Sequence, residues 1–367
     1  MMASMPPLLP SPPLLHSVLR KTWPLLAAIA TAVFVQYAVA PIVGGYGSAL
    51  LMDCGIAVIL AVSLTVVNGF TGQFSIGHAG FMSLGGYFAA AIAYYGTYHF
   101  YGDFNTHGGW QGPLLFASAC LAGGVLAAVC GWVVGLPSLR LRGDYLAIVT
   151  LGFGEILRVV IQGTPDQLDT TSVDPPIGDV PFWRQLFHLG GALGMSGQPV
   201  YTTPFNVWLA AALTLAITIR LKYSGYGRAM LSIREDDVAA QAIGVNTTRI
   251  KVRAFAFSAF FAGIGGALYA MKTGSTISAG DFGFQRSFDY VIMVVLGGLG
   301  SISGAAIAAI ALTLLPELLR SLPEEMQRAR VSVYALLLIL TMILRPRGLL
   351  GIREIWDYLP RRWRRQS

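Results

Sequence analysis

Long apolar stretches alternate with short polar segments along the whole chain. A helix of about 20 apolar residues crosses the roughly 30 Å of hydrocarbon in a membrane, and inside lipid it satisfies its own backbone hydrogen bonds. The pattern therefore predicts an all-α, polytopic integral membrane protein with about ten transmembrane helices, within a range of roughly 8–10. The predicted spans are 23–41, 48–67, 76–95, 113–136, 144–162, 204–221, 252–271, 286–299, 302–319 and 331–345.

The apolar stretch that follows Asp281 is interrupted by glycines at its centre. Residues 286–319 are therefore compatible with two spans, with a re-entrant segment or with one broken helix. The central letters GGLGSISG, at 297–304, depart from the GxGxxG spacing and lack a βαβ setting. We interpret them as close-packing glycines at a turn rather than as a dinucleotide-binding loop.

Basic residues cluster at alternate ends of the predicted spans, whereas the loop 163–203 is acidic. That loop holds Asp166, Asp169, Asp174 and Asp179 against a single Arg184. Because Lys and Arg favour the cytoplasmic side of a membrane, ten spans place both termini and every basic cluster inside and this loop outside. The basic clusters comprise Arg20 and Lys21; Arg140 and Arg142; Arg220, Lys222, Arg228, Arg234, Arg249, Lys251 and Arg253; and Arg345, Arg347, Arg353, Arg361, Arg362, Arg364 and Arg365.

These assignments divide the chain into three parts. The proline-rich residues 1–22 are predicted to form a disordered cytoplasmic leader, and residues 23–346 form the membrane domain. Within that domain, 223–251 is a cytoplasmic segment and 163–203 is an extracytoplasmic loop. Residues 347–367 form a basic cytoplasmic tail.

Composition supports a membrane protein and excludes several other classes. The mean hydropathy is +0.62, only 12% of residues are charged, and the 43 glycines suit closely packed membrane helices. The net charge of +7 arises at span ends rather than on one soluble face, so no nucleic-acid partner is predicted. The three cysteines lie in apolar spans without a CxxC motif, and the five histidines are scattered, so no metal site is predicted.

Motifs that carry catalysis or bind nucleotides are absent from the sequence. The chain contains no GxxxxGK[ST], no HExxH and no GxSxG. We therefore predict no catalytic residue, no cofactor and no ATP bound by this chain. A membrane enzyme would need His, Asp or Glu clustered at a span end, and the pattern favours transport instead.

The densest polar stretch at a membrane boundary is NGFTGQFSIGHAGFMSLGGYFAA, at 68–90. Its glycines let helices approach closely or let the backbone unwind. An unwound segment with free N–H groups would hold the carboxylate of an amino acid in a translocation pathway. The alternative is small-residue packing, with Ser75 and His78 hydrogen-bonded across helices. The candidate pathway residues are Gly72, Gln73, Ser75, Gly77, His78, Gly80 and Glu155.

Ionisable side chains inside spans are functional candidates, and Glu155 and Arg158 lie within the span 144–162. Their i, i+3 spacing lets them neutralise each other, and this paired interpretation is favoured. A secondary transporter driven by an ion gradient, which needs acidic residues deep in its spans, is therefore the weaker alternative. Asp53 and Asp289 lie near span ends on the predicted outer face, where we interpret them as solvated.

The letters SIREDDVAAQAIGVN, from Ser232 to Asn246, form a short charged segment between two apolar spans. Ser232 and Glu235 fit a capping box, and Gly244 is a natural helix stop. The predicted helix has about eleven residues and a length of about 16 Å, too short to cross a membrane. Its alanine-rich face favours docking into a groove of another protein. A helix lying on the lipid surface is the alternative.

Three blocks of the chain resemble the LivM-type permease subunits of high-affinity branched-chain amino acid ABC importers. The similarity runs in order from about residue 48 to RPRGLLG at 345–351, but the leader 1–22 and the loop 163–203 find no match in it. The blocks are NGFTGQFSIGHAGFMSLGGY, GDYLAIVTLGFGEILRVV and SIREDDVAAQAIGVNTTRIKVRAFAFSAFFAGIGGALYA.

The resemblance implies that the third block is the coupling segment that docks on ATPase subunits. It implies a heteromeric importer with a second, LivH-type permease, two ATP-binding cassette subunits that bind the ATP, and an extracytoplasmic amino-acid-binding protein. The expected location is the bacterial inner membrane. The implied coupling residues are Ser232, Arg234, Glu235, Ala239, Ala240 and Gly244.

The expected function is that of a pathway-forming, non-catalytic permease for leucine, isoleucine and valine. Related permeases of urea importers share the layout, so urea, or another small amide or amino acid, is the alternative substrate. The form GQFSIGHAGF, at 72–81, is closer to the amino-acid branch.

Overall fold

The structure is a computed structural model. It describes residues 25–101, 110–138, 144–168, 180–272, 276–320, 348–351 and 353–357, together with positions 177, 335, 336, 339 and 343. The predicted leader 1–22 lies outside the described residues. The same holds for most of the predicted span 331–345, most of the tail 347–367 and the middle of the loop 163–203.

The described residues are helical and contain no strand beyond an isolated bridge between Met195 and Ile277. Six of the helices in this part of the chain are long and apolar enough to cross a membrane. The prediction of an all-helical membrane protein is thereby confirmed. The helices are α1 (Leu25–Phe70), α2 (His78–Tyr101), α3 (Gln111–Ser138), α4 (Asp144–Gln162), α5 (Phe182–Gln185), α6 (Pro204–Tyr223), α7 (Gly225–Glu235), α8 (Asp237–Ala242), α9 (Thr247–Ala270), α10 (Phe284–Gly297) and α11 (Ile302–Arg320).

The first helix, α1, is broken into two arms at Gly44. That residue has φ 72° and ψ −175°, a left-handed conformation that glycine adopts without a steric penalty. A straight helix of 46 residues would be about 69 Å long, roughly twice the thickness of a bilayer core. The break coincides with the predicted boundary between the spans 23–41 and 48–67.

The long helices run up and down between two ends of the bundle. We define the basic end by the last turns of α1, α6 and α10, together with α7 and α8. Contacts there join residues far apart in sequence, such as Arg234 with Gly69 and Lys222 with Gly300. We define the loop end by the described parts of the loop 163–203, which contact the last turn of α9. The Thr202 N–H, for example, donates to the Met271 carbonyl over 3.2 Å.

Glycines permit close contact between the central helices α2, α3 and α9. A Cβ atom on Gly85 of α2 would lie 2.3 Å from the Cα of Gly263 on α9, and one on Gly123 of α3 would lie 2.5 Å from the Gly85 carbonyl oxygen. Such distances leave no room for any side chain. In lipid, where burial of apolar surface between helices is not favoured over lipid contact, this close packing stabilises the bundle.

Residues 284–320 form a hairpin of two helices, α10 and α11. The turn between them, residues 298–301, has Gly298 at φ 114° and Gly300 at φ 102°. A Cβ on Gly297 would lie 2.5 Å from the backbone of Gly304. The backbones of the two helices are therefore in direct contact beside the turn. With 14 residues, α10 is about 21 Å long and is shorter than a full span. The structure thus divides the predicted stretch 286–319 into two helices that are joined by a turn.

Candidate functional site

The charged segment predicted for coupling forms two short helices, α7 and α8, rather than one. Asp236 separates them with an extended backbone, φ −157° and ψ 114°, and its carboxylate accepts hydrogen bonds from the N–H groups of Val238 (2.8 Å) and Ala239 (3.0 Å). Ser232 lies inside α7, where its hydroxyl donates to the Ala229 carbonyl over 2.9 Å. The predicted capping box of Ser232 and Glu235 is therefore wrong, because the aspartate satisfies two orphan N–H groups at once.

The predicted helix stop at Gly244 is confirmed. Gly244 has φ 87° and follows the last residues of α8, the conformation that ends many helices. No atom outside its immediate neighbours lies within 4 Å of the position that a Cβ would occupy. Glycine is thus favoured at this position by the backbone conformation and not by a lack of space for a side chain.

The outer face of α8 is apolar and open. Val238 is 69% exposed and Ile243 is 76% exposed, and Ala239 is also exposed. Glu235, at the end of α7, is exposed beside this face. Ala240, by contrast, is only 2% exposed and packs inside this chain, contrary to its predicted place in a docking face. An ion pair of 2.9 Å between Asp237 and Lys251 fixes α8 to the start of α9. The exposed patch is therefore held at a defined angle to the bundle.

Arg234 connects this patch to the membrane domain. One nitrogen of its guanidinium, Nη1, donates to the carbonyl oxygens of Gly69 (2.9 Å) and Leu299 (3.2 Å). Gly69 ends α1 and Leu299 lies in the turn 298–301, which we call the junction turn. The side chain also packs beside Gly72, since a Cβ there would lie 3.2 Å from Cγ of Arg234. Two sites that were predicted separately, the coupling segment and the glycine-rich stretch, thus meet at Arg234.

Lys222 and Glu354 fix the opposite side of the junction turn. The Lys222 ammonium donates to the Gly300 carbonyl over 2.7 Å and to the Glu354 carboxylate over 2.5 Å. Glu354 is 1% exposed and accepts from the N–H groups of Ile302 (3.0 Å) and Ser303 (2.9 Å). A residue of the tail therefore caps the first turn of α11.

The environment of Glu354 favours its ionised form. Burial raises the pKa of this carboxyl. Hydrogen bonds from Lys222, from the Ser303 hydroxyl and from the N–H groups of Ile302 and Ser303 outweigh the burial, so the pKa lies below its usual value. The cap is consequently charged at neutral pH.

The glycine-rich stretch is irregular from Thr71 to Gly77, and α2 begins at His78. Five of the N–H groups between Gln73 and Gly80 donate within this chain and are therefore not free for a ligand. The acceptors are the Val67 carbonyl for Gln73 (3.2 Å), Asn68 Oδ1 for Ser75 (3.2 Å), Thr150 Oγ1 for Ile76 (3.1 Å), Ser287 Oγ for Ala79 (3.0 Å) and the Gly77 carbonyl for Gly80 (3.1 Å).

Apart from Phe74, which is exposed, the side chains in this stretch are buried, and several of them make contacts between helices. His78 is 2% exposed, and its Nε2 lies 3.0 Å from the hydroxyl of Ser63 on α1. The Gln73 amide oxygen accepts from the Thr71 hydroxyl over 3.2 Å. A Cβ on Gly77 would lie 2.2 Å from the Thr150 carbonyl, and one on Gly80 would lie 2.7 Å from Cα of Gly154. Of the two interpretations that the sequence left open, the geometry favours close packing.

Glu155 and Arg158 form the predicted pair, with Nε of Arg158 2.7 Å from the Glu155 carboxylate. The other oxygen of Glu155 accepts from the N–H of Phe284 over 3.2 Å, so this carboxylate also caps the start of α10. Asp53 is not simply solvated, as had been predicted, because Lys272 lies 2.6 Å from its carboxylate.

Two clefts open near the loop end of the bundle, with volumes of 480 and 370 Å³. Glu155, Arg158 and Asp281 line the first cleft, and Asp53 and Lys272 line the second. Both also contain Arg286 and Asp289. Within the described residues, no group of three or more His, Cys, Asp or Glu side chains is placed to hold a metal ion.

The sequence did not indicate the roles of Lys222, Glu354 and Arg286. Lys222 was counted only as part of a basic cluster, although it follows directly on an apolar span. Glu354 is one of two acidic residues in an otherwise basic tail. An acidic residue among basic ones was the feature of the sequence that could have indicated its role. The pairing of these residues depends on contacts across 132 positions of the chain, which no local pattern reveals.

Comparison with known proteins gives one consistent result. The family model described as "Branched-chain amino acid transport system / permease component" matches residues 46–343. No solved structure matches the chain.

Curated relatives agree with the family model. The permease proteins LivM of high-affinity branched-chain amino acid transport systems in Salmonella typhimurium and Escherichia coli are each 36% identical over 310 residues. These matches cover 80% of this chain and 68% of each relative. The LivH permease protein of Escherichia coli is 26% identical over 302 residues, covering 81% of this chain and 92% of the relative. With its apolar helices and its anchored charged segment, this chain belongs to the family of permease components of branched-chain amino acid transport systems.

Proposed function

We propose that this chain is a pathway-forming permease subunit of an ATP-driven importer for leucine, isoleucine and valine in the bacterial inner membrane. The proposed complex contains a second, LivH-type permease, two ATP-binding cassette subunits and an extracytoplasmic amino-acid-binding protein. ATP is bound and hydrolysed by the cassette subunits, and this chain performs no catalysis. Similarity to both LivM and LivH relatives supports a pair of related permeases.

The proposed topology has ten spans with both termini in the cytoplasm. The basic residues around α7 and α8 and the described part of the acidic loop lie at opposite ends of the bundle. This separation supports a cytoplasmic basic end and an extracytoplasmic loop end, because positive residues favour the cytoplasmic side.

The observation that carries the proposal is the connection from the exposed patch on α8 to the membrane domain. Force applied to Val238, Ala239 or Ile243 passes along α7 to Arg234, which bonds Gly69 and Leu299 directly. These carbonyls end α1 and begin the junction turn. A movement of the patch therefore shifts two membrane helices together, which is what ATP-driven alternation of access requires.

The helix α10 extends this connection through the membrane domain. It ends at the junction turn and begins about 21 Å away, beside the clefts of the loop end. Ser287 and Tyr290 on its buried face contact Ala79 and Met82 of α2. We infer that α10 transmits movement from the cytoplasmic side to the part of the pathway where the substrate enters.

The alternatives are a urea or other small-amide importer and, more distantly, an ion-coupled secondary transporter. Glu155 is the acidic residue that a coupled ion would need, but it is paired with Arg158 and bonded to Phe284. This geometry disfavours ion coupling through Glu155.

Reconstitution of the purified complex in proteoliposomes tests the proposal. With ATP and the binding protein present, we expect uptake of labelled leucine to exceed that of labelled glutamate or urea. Omission of ATP, or of the cassette subunits, is expected to abolish uptake. Uptake that follows an imposed ion gradient without ATP would establish the secondary transporter instead, and preferential uptake of urea would establish the small-amide importer.

A further inference from the structure

The helix α10 has two faces with different surroundings. Ser287, Tyr290 and Val294 are buried, and the first two contact the glycine-rich stretch. Arg286 and Asp289 lie on the other side of the helix, exposed and half-buried respectively, and both line the two clefts near the loop end. Because they are three residues apart on one helix, their charged groups project over neighbouring parts of the same surface.

The other charged residues of these clefts already have partners, and Asp281 accepts a hydrogen bond from the N–H of Ser278 over 3.0 Å. Arg158 pairs with Glu155 at 2.7 Å and Lys272 with Asp53 at 2.6 Å. Within the part of the chain that the structure describes, Arg286 and Asp289 form no ion pair closer than 4.0 Å, with each other or with another residue. A cation and an anion are thus held near each other without neutralising each other by direct contact.

An aromatic ring, an apolar wall and an open cleft surround this pair. The guanidinium carbon of Arg286 lies 5.9 Å from the centre of the Tyr269 ring, which limits where the cation can point. The 370 Å³ cleft continues from the charged pair along an apolar wall, and its volume falls within the range of about 300–1,000 Å³ typical of small-molecule sites. That wall includes Ile56, Ala57, Met293 and Leu312.

We propose that Arg286 and Asp289 bind the α-carboxylate and the α-ammonium of an amino acid at the loop-end entrance of the pathway. The guanidinium matches a carboxylate with two parallel hydrogen bonds, and the aspartate accepts from the ammonium. The apolar wall then takes an aliphatic side chain. Charges inside a membrane domain are costly, and a zwitterionic substrate offsets that cost for both residues at once. The inference rests on the proposed function and selects amino acids over urea, which carries neither charge.

Two neutral variants test the site in the reconstituted complex. Asp289→Asn removes one charge and keeps the shape of the side chain, and Arg286→Gln removes the other charge and leaves a shorter polar side chain. We expect the maximal rate of leucine uptake to fall about tenfold or more, since each variant loses charge-assisted hydrogen bonds to the substrate. The apparent KM is expected to stay constant, because the binding protein sets it. Arg286→Lys is expected to retain more uptake than Arg286→Gln.

The matched control is Gln285→Ala, which changes an exposed neutral residue next to Arg286 in the 480 Å³ cleft and is expected to leave uptake within about twofold of the wild type. Failure of the wild-type complex to transport leucine would refute the proposed function. Wild-type transport together with near-normal uptake by both neutral variants would refute this site alone. Loss of assembly with the second permease in Arg286→Gln would also refute it, because the pair would then belong to a subunit interface.

Discussion

At the scale of single residues, long-range polar contacts organise the junction turn. Arg234, Lys222 and Glu354 come from three separate parts of the chain and converge on residues 298–303. Each satisfies backbone groups that a sharp turn between two helices leaves without partners. The junction turn is therefore held by side chains rather than by regular backbone pairing.

We predict that Glu354→Gln lowers stability in a pH-dependent way. The pKa of this carboxyl is lower in the folded protein than in the unfolded chain, so ionised Glu354 stabilises the fold above the unfolded value of about 4.3. That stabilisation is lost as the pH falls through the lower, folded value. The variant should be less stable by about 1–3 kcal/mol at pH 7, because Lys222 then lies buried beside a neutral partner.

Thermal unfolding of the purified protein at a series of pH values measures this effect. The difference between wild type and Glu354→Gln should shrink as the pH falls below about 4. Glu235→Gln is the control, because Glu235 is exposed and its replacement should change little at any pH. A difference that is independent of pH would show that the charge of Glu354 does not cap α11.

At the scale of elements, α8 is a short helix with one face in solvent and one face in the protein. Six residues are too few to be stable alone, so its position depends on the Asp236 cap and on the Asp237–Lys251 ion pair. These restraints hold the exposed side chains of Val238 and Ile243 outward. The helix α8 therefore exposes an apolar surface.

Two adjacent alanines on α8 lead to opposite predictions. Ala239 is exposed, so Ala239→Trp should leave insertion and thermal stability unchanged and should strongly reduce capture of the cassette subunits. Ala240 is 2% exposed, so Ala240→Trp should destabilise this chain itself by overpacking, at a cost of about 1–3 kcal/mol or more. A pull-down of the cassette subunits and a melting curve separate the two effects. Full capture by the Ala239→Trp variant would exclude this face as the coupling surface and favour the lipid-surface alternative.

At the scale of the whole molecule, charge and helix direction define two chemically different ends. The described segments between long helices meet at two separate places, one marked by the contact of Arg234 with Gly69 and the other by the contact of Thr202 with Met271. The proposed mechanism needs this polarity, because in it the substrate enters at one end and the cassette subunits apply force at the other.

We predict that positions 193 and 243 lie on opposite sides of the membrane. Leu193 is 82% exposed near the loop end, and Ile243 is 76% exposed at the basic end. After replacement of Cys54, Cys120 and Cys130, a cysteine at 193 should react with an impermeant thiol reagent in intact cells. A cysteine at 243 should react only after the cells are opened. Labelling of both positions from outside would exclude the proposed topology and the coupling role together.

Much of the architecture was predictable from local patterns. Runs of apolar residues predicted the helices, because in lipid each segment must satisfy its own backbone. Gly244 predicted a helix stop, and the spacing of Glu155 and Arg158 predicted their pairing, since both depend on residues close together in sequence. The predicted cap at Ser232 was wrong because a second residue nearby can also cap a helix. Asp236, four residues further on, accepts hydrogen bonds from two N–H groups.

What the sequence alone determined is the class of protein: a polytopic helical permease with a charged segment between two spans. Only the tertiary structure decided that Arg234 touches Gly69 and Leu299, that Glu354 caps α11, and that Ala240 faces inward while Ala239 faces outward. The physical reason is the range of the interactions. Hydrophobic periodicity and helix ends depend on neighbours within one or two turns, whereas these contacts depend on how separate helices pack in three dimensions.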